Sequence, residues 1–205
     1  KAQLEEFKKQ AMDRVINDAY VKKLAKENGV SVSSQEVEEE IATVKQQSRL
    51  GTSDQVFEDV LRDLWGWSVN DFKRSLRNKL LARKVASRLD TEAHNKAEEA
   101  LAEIKAGADF AEVAKKYSED EATKEAGGDF GVAIDESSRD ITAKLTEAIF
   151  KQQPGQVSDI IDTGYSLEIV KTLGIEGNKA RAAHIEIRYK DISEYIVPLR
   201  ESRAP

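Results

Sequence analysis

The stretch KARAAHIEIRYK, Lys179 to Lys190, places a histidine on what reads as a β-strand. Its side chains alternate. Ala183, Ile185, Ile187 and Tyr189 fall on one face, and His184, Glu186 and Arg188 on the other. A second strand-like stretch, GYSLEIVKTLG, runs from Gly164 to Gly174 just before it. LGIEGNKA between them holds two glycines and can turn the chain. About fifteen residues follow Lys190, too few for a further domain. A histidine-bearing strand is therefore nearly the last element of this sequence, and the rest of its sheet has to come from upstream.

Composition narrows the function classes. The 205 residues allow one or two domains with their own cores. Charged residues make up 34% and hydrophobic ones 40%, which predicts heavily charged surfaces. No apolar run approaches the ~18 residues of a membrane span. No signal peptide is visible, but the sequence opens mid-pattern at Lys1, so a leader or anchor removed beforehand is compatible with it. The absence of cysteine excludes disulfides, thiolate nucleophiles and cysteine-ligated zinc. A net charge of −6 without a basic patch argues against nucleic acid as a partner. His94 and His184 lie far apart in sequence, neither in a ligand spacing such as HxxxH, so no metal is expected.

The first half reads as helix. Leu4, Phe7, Ala11, Val15, Ala19 and Leu24 recur as one helix face would, ending near Gly29. Ser33 with Glu36 forms a capping-box pattern ahead of Val37, Ile41 and Val44. Gly51 breaks that helix, a short third one starts at Ser53 or Asp54, and Gly66 interrupts it between Trp65 and Trp67. Those two tryptophans read either as contacts for a partner or as a core ring beside an exposed one. Ser68 then caps a long helix with Val69, Phe72, Leu76 and Leu80 on one face. From about residue 90 the pattern changes. TEAHNKAEEALAEIKAG is one more helix, closed by Gly107, with His94 on its charged surface and expected to be solvated. DFGVAI, SDIIDT, YSLEIVKTL and RAAHIEIRY are strand candidates. The predicted fold class is α+β.

The most specific stretch is ALAEIKAGADFAEVAKKYSEDEATKEAGGDFG, followed by IFKQQPGQVSDIIDTGYSLEIVK. Residues 91–173 resemble the parvulin family of peptidyl-prolyl isomerases. The resemblance rests on Gly107 to Phe110, Tyr117-Ser118, Asp120 and Gly127 to Gly131, taken in that order, and on the closing GQVSDII and GYSLEIV. INDAYVKKLAKENGVSVSSQEVEEEI and WSVNDFKRSLRNKLLARKV look like the chaperone region that precedes parvulin domains in SurA- and PrsA-like bacterial foldases. The resemblance implies a helical chaperone domain over 1–89, with 191–205 as a helix that could return to it. It implies a parvulin-like domain over 90–190, a small antiparallel sheet flanked by helices.

Parvulins begin with a central strand of the form RASHILV ahead of the first helix. Here LLARKVASRLDTEA occupies that place and reads as helix, whereas RAAHIEI, residues 181–187, matches the strand at the other end. The expectation is a permuted order in which the C-terminal segment supplies the first strand. A sheet without it would leave open edges and unpaired backbone groups. Two alternatives stay open: donation of the strand to a neighbouring molecule, giving a swapped dimer instead of a monomer, and the start of a deleted second domain.

Carried across residue by residue, the resemblance implies His184 as the first-strand histidine, Asp120 at the family's Cys/Asp position and Thr163 at a Ser/Thr hydroxyl position. Ser166 stands where a second histidine is usual, a departure. Phe130 (usually Leu), Ile141 (usually Met) and Leu145 (usually Phe) would line the proline pocket. Read without the family, His184 is a hydrogen-bonded core histidine, Asp120 a cap for the turn that follows, and Gly127 with Gly128 a backbone turn. The implied function is isomerisation of Xaa-Pro bonds in unfolded or extended polypeptide clients of the cell envelope, outside the cytoplasm, without a cofactor. The alternative is a peptide-binding holdase with weak or no catalysis, towards which Ser166 points.

Overall fold

The computed structural model describes residues 2–47, 53–138 and 140–202. The elements run α1 (Ala2–Glu27), α2 (Ser34–Gln47), α3 (Asp54–Trp65), α4 (Val69–Leu89), α5 (Thr91–Lys105), α6 (Phe110–Tyr117), β1 (Ile134–Asp135), α7 (Ala143–Lys151), β2 (Ile161–Asp162), β3 (Ser166–Glu176), β4 (Lys179–Arg188) and α8 (Ser193–Glu201), with a 3-10 turn at Lys124–Ala126. The chain divides into two compact units, Lys1–Leu89 with Asp191–Pro205, and Asp90–Lys190. The first is helical and the second joins an antiparallel four-stranded sheet to helices, so the class is α+β.

In the helical unit the sequence signals become hydrogen bonds. Ser33 Oγ accepts the Glu36 N–H at 3.1 Å while Glu36 Oε2 accepts the Ser33 N–H at 2.8 Å, a reciprocal capping box. Ser68 and Asp71 do the same ahead of α4. Val37, Ile41, Phe57, Leu61 and Leu76 form one core, where Phe57 meets Phe72 edge to face. Val21, Leu24, Ala25 and Val85 form a second core with Ile196 of α8. The Arg200 guanidinium of α8 reaches Asp13 and Asn17 of α1. The stripe along α1 is a helix face, but Leu4, Phe7 and Val15 are exposed, and of its residues only Leu24 is buried. Gly51, expected to end α2, lies outside the described residues. Trp65 is exposed and Trp67 half-buried, with ring centroids 6.3 Å apart.

In the second unit the strand order is β1-β4-β3-β2, so β4 is an inner strand. β3 and β4 form a long hairpin closed by Gly177 and Asn178, with Val170 opposite His184. Alternation gives the sheet two apolar faces. Leu167, Ile169, Ala183, Ile185 and Ile187 pack on Ala93, Ala97 and Ala100 of α5 and on Phe110, Val113 and Ala114 of α6. Val170, Ala180 and Ala182 pack on Leu145 and Ile149 of α7. Two strands are shorter than expected, and SDIIDT pairs regularly only at Ile161–Asp162. DFGVAI pairs regularly only from Ile134, because Asp129 Oδ1 accepts the Gly131 N–H at 2.8 Å and turns the chain there. Asp129 keeps an isolated bridge to Ala183. His94 also differs: it is half-buried, its ring centroid 5.8 Å from that of Tyr189, instead of solvated.

Candidate active site

His184 sits on the second apolar face, on the inner strand β4, and is 6% exposed. Three neighbours fix its ring. Asp120 Oδ2 lies 2.9 Å from Nε2, Thr123 Oγ1 lies 3.0 Å from the same nitrogen, and Glu168 Oε2 lies 2.9 Å from Nδ1. The Phe130 ring stacks on the imidazole, with centroids 4.3 Å apart and planes at 25°.

Backbone contacts bring these groups together. α6 ends at Ser118, whose hydroxyl accepts the Glu186 N–H of β4 at 3.2 Å. The next residue bonds the same strand, from Glu119 N–H to Glu186 C=O at 2.7 Å. Asp120 is thereby carried along β4 to His184. Its carboxylate divides its work: Oδ1 accepts the Ala122 N–H at 3.2 Å, capping the turn, and Oδ2 accepts the Thr123 hydroxyl at 2.6 Å and faces the imidazole. The local and the site readings of Asp120 are thus both realised, on different oxygens. Gly128 lies against β4 on the other side of the site, where its carbonyl accepts the His184 N–H at 2.9 Å. A Cβ at Gly128 would stand 2.1 Å from the His184 carbonyl oxygen.

Thr163 and Ser166 close the turn into β3. The Thr163 hydroxyl accepts the Ser166 N–H and donates to the Ser166 carbonyl, both at 3.0 Å. The Ser166 hydroxyl donates to Glu168 Oε1 at 2.8 Å. Sequence reasoning named four of these groups, His184, Asp120, Ser166 and Thr163, and the structure links all four through one network. It missed Glu168 and Thr123. Thr123 follows Asp120 by one turn, a readable spacing; Glu168 shares the strand face of Ser166 two residues on, but its reach to His184 depends on how the strands pair. Phe130, Ile141 and Leu145 share one apolar cluster, in which Leu145 is buried and the other two are half-buried.

Electrostatics set the charges. Burial pushes the His184 imidazole down, but the Glu168 and Asp120 carboxylates outweigh it and hold its pKa above the ordinary 6.5. Burial pushes the Asp120 carboxyl up, and the Thr123 hydroxyl, His184 and the Ala122 N–H outweigh it and hold it below the ordinary 3.8. Asp120 keeps a fifth of its side chain exposed, against 8% for His184 and 5% for Glu168, so it is the member of the trio that offers an edge to a ligand.

Residues 80–174 match the family model of the PPIC-type PPIase domain, or rotamase, and residues 1–86 match the SurA-like N-terminal domain. The chain thus joins a region similar to a SurA-like N-terminal domain to a region similar to a parvulin-type rotamase domain. Its relatives are PrsA foldases. The foldase protein PrsA of Caldanaerobacter subterraneus subsp. tengcongensis is 29% identical over 182 residues, 84% of this chain and 58% of that protein. Foldase protein PrsA 2 of Bacillus anthracis is 28% identical over 191 residues, 82% of this chain and 64% of that protein. The chain thus spans less than two thirds of the length of these relatives. A crystal structure of a peptidylprolyl isomerase, PrsA, from Bacillus anthracis is 24% identical with a TM-score of 0.30, covering 94% of this chain and 86% of that one. Among the described residues, no helix is long and apolar enough to cross a membrane.

Proposed function

We propose that this chain is a foldase of exported proteins whose parvulin domain isomerises Xaa-Pro bonds. The observation that carries the reading is Asp120, ionised and partly exposed, held by His184 and Thr123 beside the stacked Phe130. The uncatalysed rotation costs about 18–20 kcal/mol because the planar amide shares electrons between nitrogen and oxygen. That sharing puts negative charge on the carbonyl oxygen and is lost in the twisted form. A carboxylate facing the oxygen disfavours the planar amide and favours the twisted one, which is differential binding. Phe130 and Ile141, over Leu145, offer the proline ring an apolar seat. No covalent step and no cofactor are required.

Clients in this reading are unfolded or extended polypeptides outside the cytoplasm, in the cell envelope; the relatives' printed name, foldase, supports polypeptide clients. The helical domain over 1–89, with 191–205, cradles them, and 90–190 acts on the proline bond. The same reading takes β4 as the family's first strand, delivered from the C-terminal side in a permuted order. Two facts support it: the rotamase match ends before β4, and its start, at residue 80, lies within helix α4. Because β4 pairs with β3 of its own chain through a two-residue turn, a monomer is favoured over a swapped dimer.

The deciding experiment is Xaa-Pro isomerisation on a peptide set, comparing the parent with Asp120→Ala and His184→Ala. Acceleration lost in both variants supports the reading. A folded parent that accelerates no peptide leaves the second reading, a holdase that only grips extended segments; Ser166 in place of a second histidine is the observation in its favour.

A further inference from the structure

The His184 ring is bounded at both nitrogens by carboxylates. Glu168 Oε2 stands 2.9 Å from Nδ1 and Asp120 Oδ2 stands 2.9 Å from Nε2. An ionised carboxylate only accepts hydrogen bonds, so each nitrogen that faces one has to carry the proton. The surrounding hydroxyls agree. Thr123 gives its proton to Asp120 Oδ2 and can only accept from Nε2–H. The Thr163 hydroxyl gives its proton to the Ser166 carbonyl, which leaves the Ser166 hydroxyl free to donate to Glu168 Oε1. Both oxygens of Glu168 are then acceptors, one from Ser166 and one from His184. Every donor and acceptor is matched when His184 carries two protons and both carboxylates carry none.

The alternative, a protonated Glu168 donating to a neutral imidazole, gives Nδ1 an acceptor role but leaves a single proton for Nε2, and the charge balance then rests on Asp120 alone. Burial alone would favour that neutral pair; what favours the ion pair is a carboxylate at each ring nitrogen together with the Ser166 hydroxyl on Glu168. A buried carboxylate is tolerated when a cation and hydrogen bonds replace its water. Among the described residues the side-chain partners of Glu168 are His184 and Ser166, so the imidazolium is the cation that serves it. The other charged groups around the ring are engaged mainly with each other, although the Arg188 charge also reaches Asp120. Arg188 of β4 pairs with Glu186 on the same strand, and Arg181 of β4 pairs with Asp129. Gly128, Phe130 and Leu145, from the loop and α7, bring no charge.

We infer that Glu168 is a positioning residue of this site: it grips His184 through Nδ1, keeps the ring doubly protonated at neutral pH, and so fixes Nε2–H on Asp120, the carboxylate edge that meets the client. Ser166, at the place where the resemblance expects a histidine, orients Glu168 instead of touching the ring. The inference rests on the isomerase reading for what the arrangement achieves, but its structural core, the protonation of His184, does not depend on any activity.

The test uses the full chain labelled with ¹⁵N-histidine. It contains two histidines, and His94→Gln assigns their signals. At pH 7 both ring nitrogens of His184 are expected to carry protons in the parent. Glu168→Gln keeps the side-chain volume and can still accept from Nδ1–H through its amide oxygen. In that variant the His184 titration is expected to move down by about one pH unit or more, with a neutral tautomer present at pH 7. A parent with a singly protonated ring at pH 7 overturns the inference, whether or not the variant folds. So does a Glu168→Gln ring that stays doubly protonated at pH 7, since Asp120 would then suffice alone. If the parent isomerises proline peptides, the Glu168→Gln rate is expected to recover as pH is lowered through the new His184 midpoint, a rescue that loss of packing would not give. If no peptide is isomerised, the nitrogen signals still decide the role of Glu168, so failure of the activity reading and failure of this inference are separate results.

Discussion

The Asp90 carboxylate accepts the backbone N–H of Lys190 at 2.7 Å, joining two residues a hundred positions apart. Its other oxygen accepts the Ala93 N–H at 3.0 Å and caps α5. One buried side chain thus closes the second unit at its entry and its exit. Asp90→Ala is expected to leave two backbone donors unmatched and to cost about 2–4 kcal/mol, from the lost cap and the unsatisfied N–H together. Hydrogen exchange read on peptides from 90–190 checks it. Both tryptophans lie in the helical unit, so their fluorescence reports that unit and is expected to change little.

Strand β4 supplies the middle of the sheet, and Ile185 at its centre is fully buried between α5, α6 and β3. Ile185→Ala is expected to cost about 2–5 kcal/mol, again read by exchange in 90–190. Cutting the chain after Ile175 is a poorer test of the strand, because it also removes α8. Ile196 of that helix packs on Val21, Leu24 and Val85, so both units would suffer. If Ile185→Ala left exchange in 90–190 unchanged, β4 would not hold the middle of this sheet.

Much of this was legible because local signals and burial agree. The alternation of residues 183–189 assigns His184 and Ile185 to opposite faces, and the structure keeps that assignment. The capping boxes at Ser33 and Ser68 likewise need only three residues of sequence. Glu168 was not legible in the same way. A glutamate in a strand reads as a solvent-facing residue, and it is buried here because His184, sixteen residues later, lies within reach across the hairpin. Pairing register is a tertiary fact. The exposed stripe of α1 shows the converse: spacing reveals a helix face without saying what, if anything, covers it.

Gly128 separates conformation from space. Its φ is +82° and an added Cβ would meet the His184 carbonyl oxygen, whereas Gly131, with φ +72°, has open space around it. Gly131→Ala is expected to cost about 1–2 kcal/mol, the price of a left-handed residue. Gly128→Ala adds a backbone collision next to the site, costs about 3 kcal/mol or more, and displaces His184. The checks are urea denaturation of both variants and the ring ¹⁵N shifts, which should move only in Gly128→Ala.

The opposed shifts of His184 and Asp120 set a pH window. A raised histidine contributes stability below its unfolded pKa and loses it as pH rises through its folded value. A depressed carboxyl contributes stability above its unfolded pKa and loses it as pH falls through its folded value. Both contributions are complete between the ordinary values of 3.8 and 6.5. The 90–190 unit is therefore expected to be most stable there and to weaken as pH climbs past 6.5 through the folded value of His184. Urea midpoints read by pulsed exchange across pH 4 to 9 would show it. His184→Gln should remove the decline on the alkaline side.

Ser166 and Glu168 are the candidates for the place where the resemblance expects a second histidine, and substitution separates them. Ser166→Ala removes the donor to Glu168 Oε1 but leaves Glu168 Oε2 on the ring. A hydrogen bond to an ionised carboxylate is worth about 1.5–3 kcal/mol, so kcat/KM on Xaa-Pro peptides is expected to fall by roughly ten- to a hundredfold. His184→Ala and Asp120→Ala remove the ring and the carboxylate edge themselves and are expected to bring the rate to the uncatalysed level. If Ser166→Ala were as damaging as His184→Ala, the hydroxyl would be acting on the client directly. Strand geometry argues against that. Ser166 is buried beneath the turn at Thr163, with its hydroxyl turned towards Glu168, whereas the Asp120 carboxylate remains partly open.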